Sequence, residues 1–458
     1  MDSESLAYAN SSHSVVVQAL CRDVLNDGIN LNVSASDEML LFFKDVQGYP
    51  LEQAAAMYFE SGRRIWKTLR QILVWRFGSL SWGGRVLDFA SGFGRVTRHI
   101  AAEIAPDSIW VSDIYAEGVA FQQRHFGVHG IVSATDPDRF PGDRTFDCIF
   151  VSSLFTHLPE PRFMEWLHRL GSLVNPGGVL LFSVHDMSLR SREEASDSTP
   201  GIVFEELSES GSLDTREYGS SWVTEEFVRS AVRNAIGPSP VLRIPRGLAS
   251  FQDLYVVLVG EASDSPAVFS GLEIEREPDG FFEHCSWAGQ RTLHLSGWIG
   301  DRVTKRPPRE VLIRIDDVLV ATCRDLQPRP LVGQAFAADP MEVVGWQATV
   351  EIPPVADAAS ARLSIRCTSS EGDELNLYSG PILWACLRSA QLDCAMLHRQ
   401  MTQREAAHAE ELARQRDTYE SRVAELAGRL RWMEASRFWK ARNLWFRFKR
   451  AVGLTEEL

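Results

Sequence analysis

Arg85-Val86-Leu87-Asp88-Phe89-Ala90-Ser91-Gly92-Phe93-Gly94-Arg95-Val96-Thr97 is an apolar run that closes on a carboxylate, breaks into a loop of small residues and restarts as a helix through about Ile104. Glycine lets such a loop turn sharply and lets a ligand approach the backbone with no Cβ in the way. The helix start offers N–H groups and the positive end of a dipole to an anion. A dinucleotide site would ask for Gly-x-Gly-x-x-Gly, its third glycine admitting close helix–strand packing. Here Thr97 holds that third place, and Asp88 would confront a pyrophosphate. The pattern suits a ligand carrying a cationic amine beside a carboxylate, and S-adenosylmethionine carries both.

The segment resembles the first motif of class I S-adenosylmethionine-dependent methyltransferases, Asp/Glu-x-Gly-x-Gly-x-Gly, with Ala90 in place of the first glycine. Further stations follow in order. Ser108–Ser112 reads as a second strand ending in Asp113, 25 positions after Asp88. An acid there can accept hydrogen bonds from ribose hydroxyls. Gly130–Asp136 reads as the third strand and its loop, Phe146–Leu158 as the fourth strand and its exit, and Leu173–Val184 as a turn and fifth strand. The resemblance implies a Rossmann-like sheet, mostly parallel with an antiparallel final strand. It places Asp88, Ala90, Ser91, Gly92, Gly94, Asp113, Ile114, Ala134, Thr135 and Ser152 against the cofactor, with Tyr115 and Asp136 beside them. Helices in Ser36–Leu80 would cover it, and Tyr58, in Tyr58-Phe59-Glu60-Ser61-Gly62-Arg63, would touch its methionine end.

The polar stretch from His185 to about Ser221 reads as a substrate-side insertion and Trp222–Ile236 as a helix. Val241–Ile244 and Asp253–Val259 read as the last strands. Methyl transfer is an in-line displacement in which proximity and orientation supply much of the rate. A hydroxyl acceptor also needs a base. His157, just past the fourth strand, and His185, at the end of the fifth, are the candidates, because imidazole titrates near working pH. The competing readings are a helix cap or sheet-edge packing for His157, and a buried helix aromatic for Tyr58. Asp186 either orients His185 or has no part.

Three further segments follow the methyltransferase-like residues 1–260. Glu261–Val268, with Ser263, Asp264, Ser265 and Pro266, reads as a linker. Residues 268–385 carry short β-branched runs between turn residues: Thr292–Trp298, Glu310–Ile315, Val318–Cys323, Gly345–Ile352 and Ala361–Cys367. They predict a small antiparallel β-sandwich. With its Gly297-Trp298 and Gly345-Trp346 pairs, the Asp316-Asp317 hairpin and Arg329-Pro330, this unit resembles modules appended to bacterial enzymes of surface-polysaccharide assembly. Trp298 and Trp346 are either sugar platforms or, the favoured reading, sandwich core.

Residues 388–436 predict a long helix. Leu412, Tyr419, Leu426 and Met433 recur at seven with Val423 and Leu430 between them, a coiled-coil seam implying a homo-oligomer, with a single folded-back helix as the alternative. The tail, residues 437–458, opens with Arg437–Arg450, which holds six basic residues, five aromatics and no acid. It suits an anionic membrane surface, with a partner protein and self-packing as the other readings.

Composition narrows the classes. The 458 residues carry a net charge of −14, which argues against a general nucleic-acid binder. The acidic start, Met1-Asp2-Ser3-Glu4-Ser5, is unlike a basic secretory leader. The seven cysteines, Cys21, Cys148, Cys285, Cys323, Cys367, Cys386 and Cys394, are scattered, as free thiols in a reducing cytoplasm would be, and no metal constellation is evident. The expectation is a cytoplasmic methyltransferase at the inner face of the cell membrane, using S-adenosylmethionine and no metal. Its acceptor would be a small molecule or a saccharide, such as a lipid-linked or surface glycan. The alternative is a catalytically inactive methyltransferase-like scaffold in a membrane-associated assembly.

Overall fold

A computed structural model describes residues 5–7, 29–47, 49, 51–190, 201–206, 214–248, 251–261, 266–274, 279–301, 305–334, 341–354, 361–370, 372 and 374–452. The acidic N-terminal start (apart from Ser5), residues 191–200 and 207–213 of the polar stretch after His185, the linker residues Ser263, Asp264 and Ser265, and Cys21 lie outside them.

The first 260 residues contain strands β1 (Ser5–Ala7) and β2 (Asn32–Ser34), which pair with each other, and a short helix α1 (Glu38–Leu41) that widens into a π-turn over Phe42–Val46. Helix α2 (Leu51–Phe77) follows. Then come β3 (Val86–Phe89), α3 (Thr97–Glu103), β4 (Ile109–Asp113), α4 (Ala116–Phe126), β5 (His129–Val132), β6 (Phe146–Val151), α5 (Glu160–Ser172) and β7 (Val174–Asp186). The domain continues through β8 (Ile202–Glu205), β9 (Ser220–Val223), α6 (Glu225–Ala235), β10 (Val241–Leu248) and β11 (Gln252–Leu258).

The main sheet has the order β10-β11-β7-β6-β3-β4-β5. Strands β7, β6, β3, β4 and β5 are parallel, and β11 enters antiparallel between β10 and β7. This is the mostly parallel sheet with an antiparallel final strand that the sequence predicted. Parallel strands covered on both faces read as continuous apolar runs. Their alternate side chains feed two cores. Val86, Val111, Phe150 and Leu181 meet Ile65, Leu69 and Ile72 of α2. Leu87, Phe89, Val151 and Phe182 meet Phe163, Trp166 and Leu170 of α5.

The sequence placed a helix from Trp222. The chain is instead extended to Val223, because β9 pairs with the end of β7 at His185↔Trp222. Thr224 caps α6, accepting the Phe227 N–H. The first core also runs past residue 260: Phe269 is buried in it, stacks on Trp75 (centroids 5.9 Å apart), and is joined by Leu272 and Ile274.

Two four-stranded antiparallel sheets form the sandwich. They are built from β12 (Asp279–Trp287), β13 (Thr292–Gly300), β14 (Glu310–Ile315), β15 (Val318–Cys323), β16 (Gln327–Pro328), a short α7 (Pro330–Gln334), β17 (Val343–Glu351), β18 (Arg362–Thr368) and β19 (Glu374–Pro381). Asp316 and Asp317 both have positive φ (47° and 66°), the geometry of a two-residue hairpin turn that matches strand twist. Trp346 is core, 3% exposed and stacked on Phe282, whereas Trp298 is half-buried.

Helix α8 (Ile382–Ala435) begins six residues earlier than predicted, because Ile382 and Ala385 are part of the sandwich core. Ser436 caps a final helix, α9 (Arg437–Ala451). Residues 396–458 separate as a second compact unit. Its seam residues Leu412, Tyr419, Val423, Leu426, Leu430 and Met433 are all exposed. Among the described residues, no helix is long and apolar enough to cross a membrane.

Candidate active site

The C-terminal ends of β3, β4 and β6 open into a cavity of about 700 Å³, where ligands of open α/β sheets collect. The cavity is lined by Asp88, Ala90, Ser91, Gly92, Asp113, Ile114, Ala134, Thr135, Ser152 and His157, all predicted from sequence. Tyr115 lines it too. Asp37, Glu38, Phe42, Arg95, Arg162 and Tyr218 are among the other residues of its walls.

The loop after β3 is held from three directions. Asp113 takes the Gly92 N–H on Oδ2 (2.8 Å) and the Tyr115 N–H on Oδ1 (3.0 Å). Gln122, from α4, donates to Ser91 Oγ (2.8 Å) and the Gly92 carbonyl (2.9 Å). Thr97 Oγ1 donates to Asp88 Oδ2 (2.7 Å). Ala90 adopts φ +56°, a conformation that glycine reaches without penalty and that costs an L side chain about 1–2 kcal/mol. Ala90 thus holds a glycine-like backbone at the position where the resembled motif has its first glycine.

Gly94 does not line the cavity. A Cβ there would stand 2.4 Å from Phe126, so this glycine serves the packing of the loop against α4. Tyr58 is likewise not a cavity contact: it is fully buried and donates to Asp37 Oδ2 (2.7 Å) while accepting from Arg98 (3.2 Å). Its α2 position turns it into the domain, and Asp37 in front of it faces the ligand space.

The carboxylates here are short of water. Burial, the largest cause, pushes Asp88 up to about 7, with the Asp113 charge adding and the Thr97 hydrogen bond and Arg95 opposing. Burial also raises Asp113, Asp37 and Glu38. Desolvated acids around a cavity favour a cation. Ser152 Oγ is buried at the wall with no hydrogen-bond partner, a polar atom a ligand can satisfy.

The two histidines part company. The segment 156–158 is zipped to 219–221 by the bonds Gly219 N–H to the His157 carbonyl (2.8 Å) and Ser221 N–H to the Thr156 carbonyl (2.7 Å). His157 Nδ1 lies 2.7 Å from the Gly219 carbonyl and its ring stacks on Tyr218 at 4.6 Å. A carbonyl only accepts, so Nδ1 carries the proton and the neutral ring's lone pair sits on Nε2. His185 does not line the cavity. It is packed beside Trp222 and Phe251, and burial pushes it down to about 4, with the neighbouring His157 second. Asp186 does not orient it: its carboxylate pairs with Arg243 (2.8 Å) and caps Ser188.

Sequence reading missed Asp37, Arg95, Gln122 and Tyr218. Arg95 stands inside the Gly-loop stretch itself and was open to discovery; Gln122, well into α4, and Asp37 and Tyr218 come to the loop and cavity only through tertiary folding. Among the described residues, no cluster suited to a metal ion occurs.

A methyltransferase-domain family model matches residues 61–222. No curated protein matches the chain. Among solved structures, an S-adenosylmethionine-dependent methyltransferase from Clostridium acetobutylicum aligns at 13% identity over 48% of this chain and 97% of its own, TM-score 0.34. The DhpI–SAM–HEP complex aligns at 20% identity over 51% and 99%, TM-score 0.33. The Burkholderia thailandensis 1,6-didemethyltoxoflavin-N1-methyltransferase, with its substrate and S-adenosylhomocysteine, aligns at 18% over 50% and 92%, TM-score 0.33. With their ordered strand-end stations carried on a sheet of this topology, residues 61–222 of this chain match a methyltransferase domain.

Proposed function

We propose that the cavity takes S-adenosylmethionine as methyl donor and an acceptor hydroxyl beside His157. The observation that carries this is the convergence, in one cavity, of Asp88, Asp113, the left-handed Ala90 loop and His157. The donor supplies an electrophilic methyl on a sulfonium. Asp113 is set to meet the ribose hydroxyls and Asp88 the amine. Arg95 offers the donor carboxylate a cation, and Ser152 Oγ gains a partner. Ile114, Ala134 and Thr135 stand where the adenosine would lie. His157 Nε2 takes the acceptor's proton, a step worth about 10²–10⁴ in rate. The test is turnover: purified enzyme with labelled donor and a panel of hydroxyl acceptors led by glycans should release S-adenosylhomocysteine. A chain that binds donor and never turns over across that panel would support the scaffold reading instead.

The division into four segments, a first running through Ile274, a sandwich that closes where α8 begins, the long helix and the tail at 437–458, is part of the same proposal, as is a saccharide acceptor, lipid-linked or on a surface glycan. The exposed seam of α8 supports pairing with a second copy. In α9, Trp445, Phe446 and Phe448 are exposed among its cations, which supports attachment to an anionic membrane face from the cytoplasmic side. Deleting Arg437–Leu458 should abolish binding to phosphatidylserine vesicles and leave donor affinity unchanged; lipid binding that persists would refute the tail's role.

A further inference from the structure

We propose that Cys285 and Cys386 are a redox-active thiol pair that closes to a disulfide, locking the first turn of α8 onto β12 of the sandwich. Their sulfurs lie 3.2 Å apart although the residues are 101 positions apart in sequence. Disulfide formation asks for closure to about 2.05 Å, a shift within reach of side-chain rotation.

The surroundings fix the approach. Ser389 Oγ accepts the Cys285 N–H (2.8 Å) and donates to the Ala385 carbonyl (2.9 Å), tying the strand to the helix across the pair. Ile382 and Ala385, on the same helical turn, are fully buried in the sandwich core. The two thiols are thus held by elements that cannot drift apart without opening that core.

They also differ as reaction partners. Cys285 is 3% exposed, whereas Cys386 is half-buried and reachable. The hydrogen bond between them lowers the Cys386 thiol and raises that of Cys285, burial adding to the latter. Thiolate is the attacking form. With a low-molecular-weight disulfide such as oxidised glutathione as oxidant, the Cys386 thiolate attacks one of its sulfurs, forming a mixed disulfide and releasing one thiol. Cys285 then loses its proton and attacks Cys386 Sγ, expelling the second thiol. Two protein thiols lose two electrons and two protons, and one external disulfide becomes two thiols.

The experiment incubates the full chain in graded ratios of oxidised to reduced glutathione, quenches in acid, alkylates the remaining thiols and maps the peptides. The expected result is a crosslink between the Cys285 and Cys386 peptides, lost with dithiothreitol, with both thiols disappearing together. Cys386→Ser should remove the crosslink and leave Cys285 unmodified. Cys394→Ser, at an exposed thiol of the same helix, should keep it. The proposal is overturned if Cys386 accumulates as a stable glutathione adduct with Cys285 still alkylatable, or if Cys386 stays reduced at ratios that cap Cys394. It is equally overturned if Cys386 crosslinks elsewhere.

Discussion

Asp88 carries the sharpest prediction, because its two roles pull in opposite directions. In the unfolded chain an aspartate titrates near about 3.9; in the fold Asp88 is buried and pushed up to about 7. Between those values the folded state holds a proton that the unfolded state lacks, so stability falls as pH rises through the window. Three pH units correspond to roughly 4 kcal/mol lost by pH 8. Asp88→Asn keeps the Thr97 contact and removes the charge. It should therefore raise the melting temperature at pH 8 and show little gain near pH 4. Donor binding should move the other way. If the ionised carboxylate meets the donor amine, wild-type affinity drops about tenfold, or about 1.4 kcal/mol, from pH 8 to pH 6. Asp88→Asn should flatten that dependence and weaken binding at pH 8 by about 1.5–3 kcal/mol, the worth of a charged hydrogen bond. Calorimetry at pH 6, 7 and 8 in two buffers of different ionisation enthalpy reads both affinity and proton release, and scanning fluorimetry reads stability. The donor's own amine titrates against both proteins and cancels in the comparison. A variant that is more stable yet binds donor with unchanged affinity and unchanged pH dependence would refute the assignment.

Other perturbations follow the same logic. Ala90→Gly relieves the left-handed strain of about 1–2 kcal/mol and gives back about 0.5–1 kcal/mol in chain entropy; a thermal scan should show no loss and up to a few degrees' gain, and a marked drop would contradict the strain. His157→Gln should lower kcat with a hydroxyl acceptor about 10²–10⁴-fold at unchanged donor affinity, while His185→Gln stays within tenfold; equal losses would undo the distinction between them. Tyr58→Phe leaves Asp37 and Arg98 short of a buried partner and should cost about 1–3 kcal/mol of stability, read by urea denaturation; a neutral result would mean that the Tyr58–Asp37 bond is not holding the cavity wall. Charged replacements at Tyr419 and Leu426 should shift sedimentation from dimer toward monomer if the exposed seam pairs with a second copy; an unchanged species would remove the coiled coil from the account.

Much of the methyltransferase sheet was legible because its strands obey one local rule. Runs such as Cys148–Val151 and Val179–Phe182 are buried on both faces and so are apolar throughout, and small-residue turns punctuate them. Trp222 was misplaced because apolar spacing there fits either a helix or a strand, and only pairing with β7 decides. The carboxylates and the Gly loop were visible as strand-end chemistry. Tyr58 and Gly94 were visible as motif positions, but the direction in which a helix turns an aromatic, or what a missing Cβ makes room for, depends on neighbours distant in sequence. The same holds for Asp37 and Tyr218, which enter the cavity from the N-cap of α1 and from a loop. The Cys285–Cys386 contact lies across 101 residues and leaves no local trace. Strand β12 was hidden by its bulge between Phe282 and His284, which breaks the alternation that marks a strand.

The central claim is that the cavity over β3 and β4 holds the methyl donor. Calorimetric titration of S-adenosylmethionine and S-adenosylhomocysteine into wild type and Asp113→Ala, with NAD as control, tests it most directly. The account predicts micromolar binding of both ligands, weakened by about 1–3 kcal/mol in Asp113→Ala as ribose hydroxyls lose their acceptor, and no response to NAD. Folded wild type that binds neither sulfur ligand, or binds them unchanged by Asp113→Ala, would contradict it.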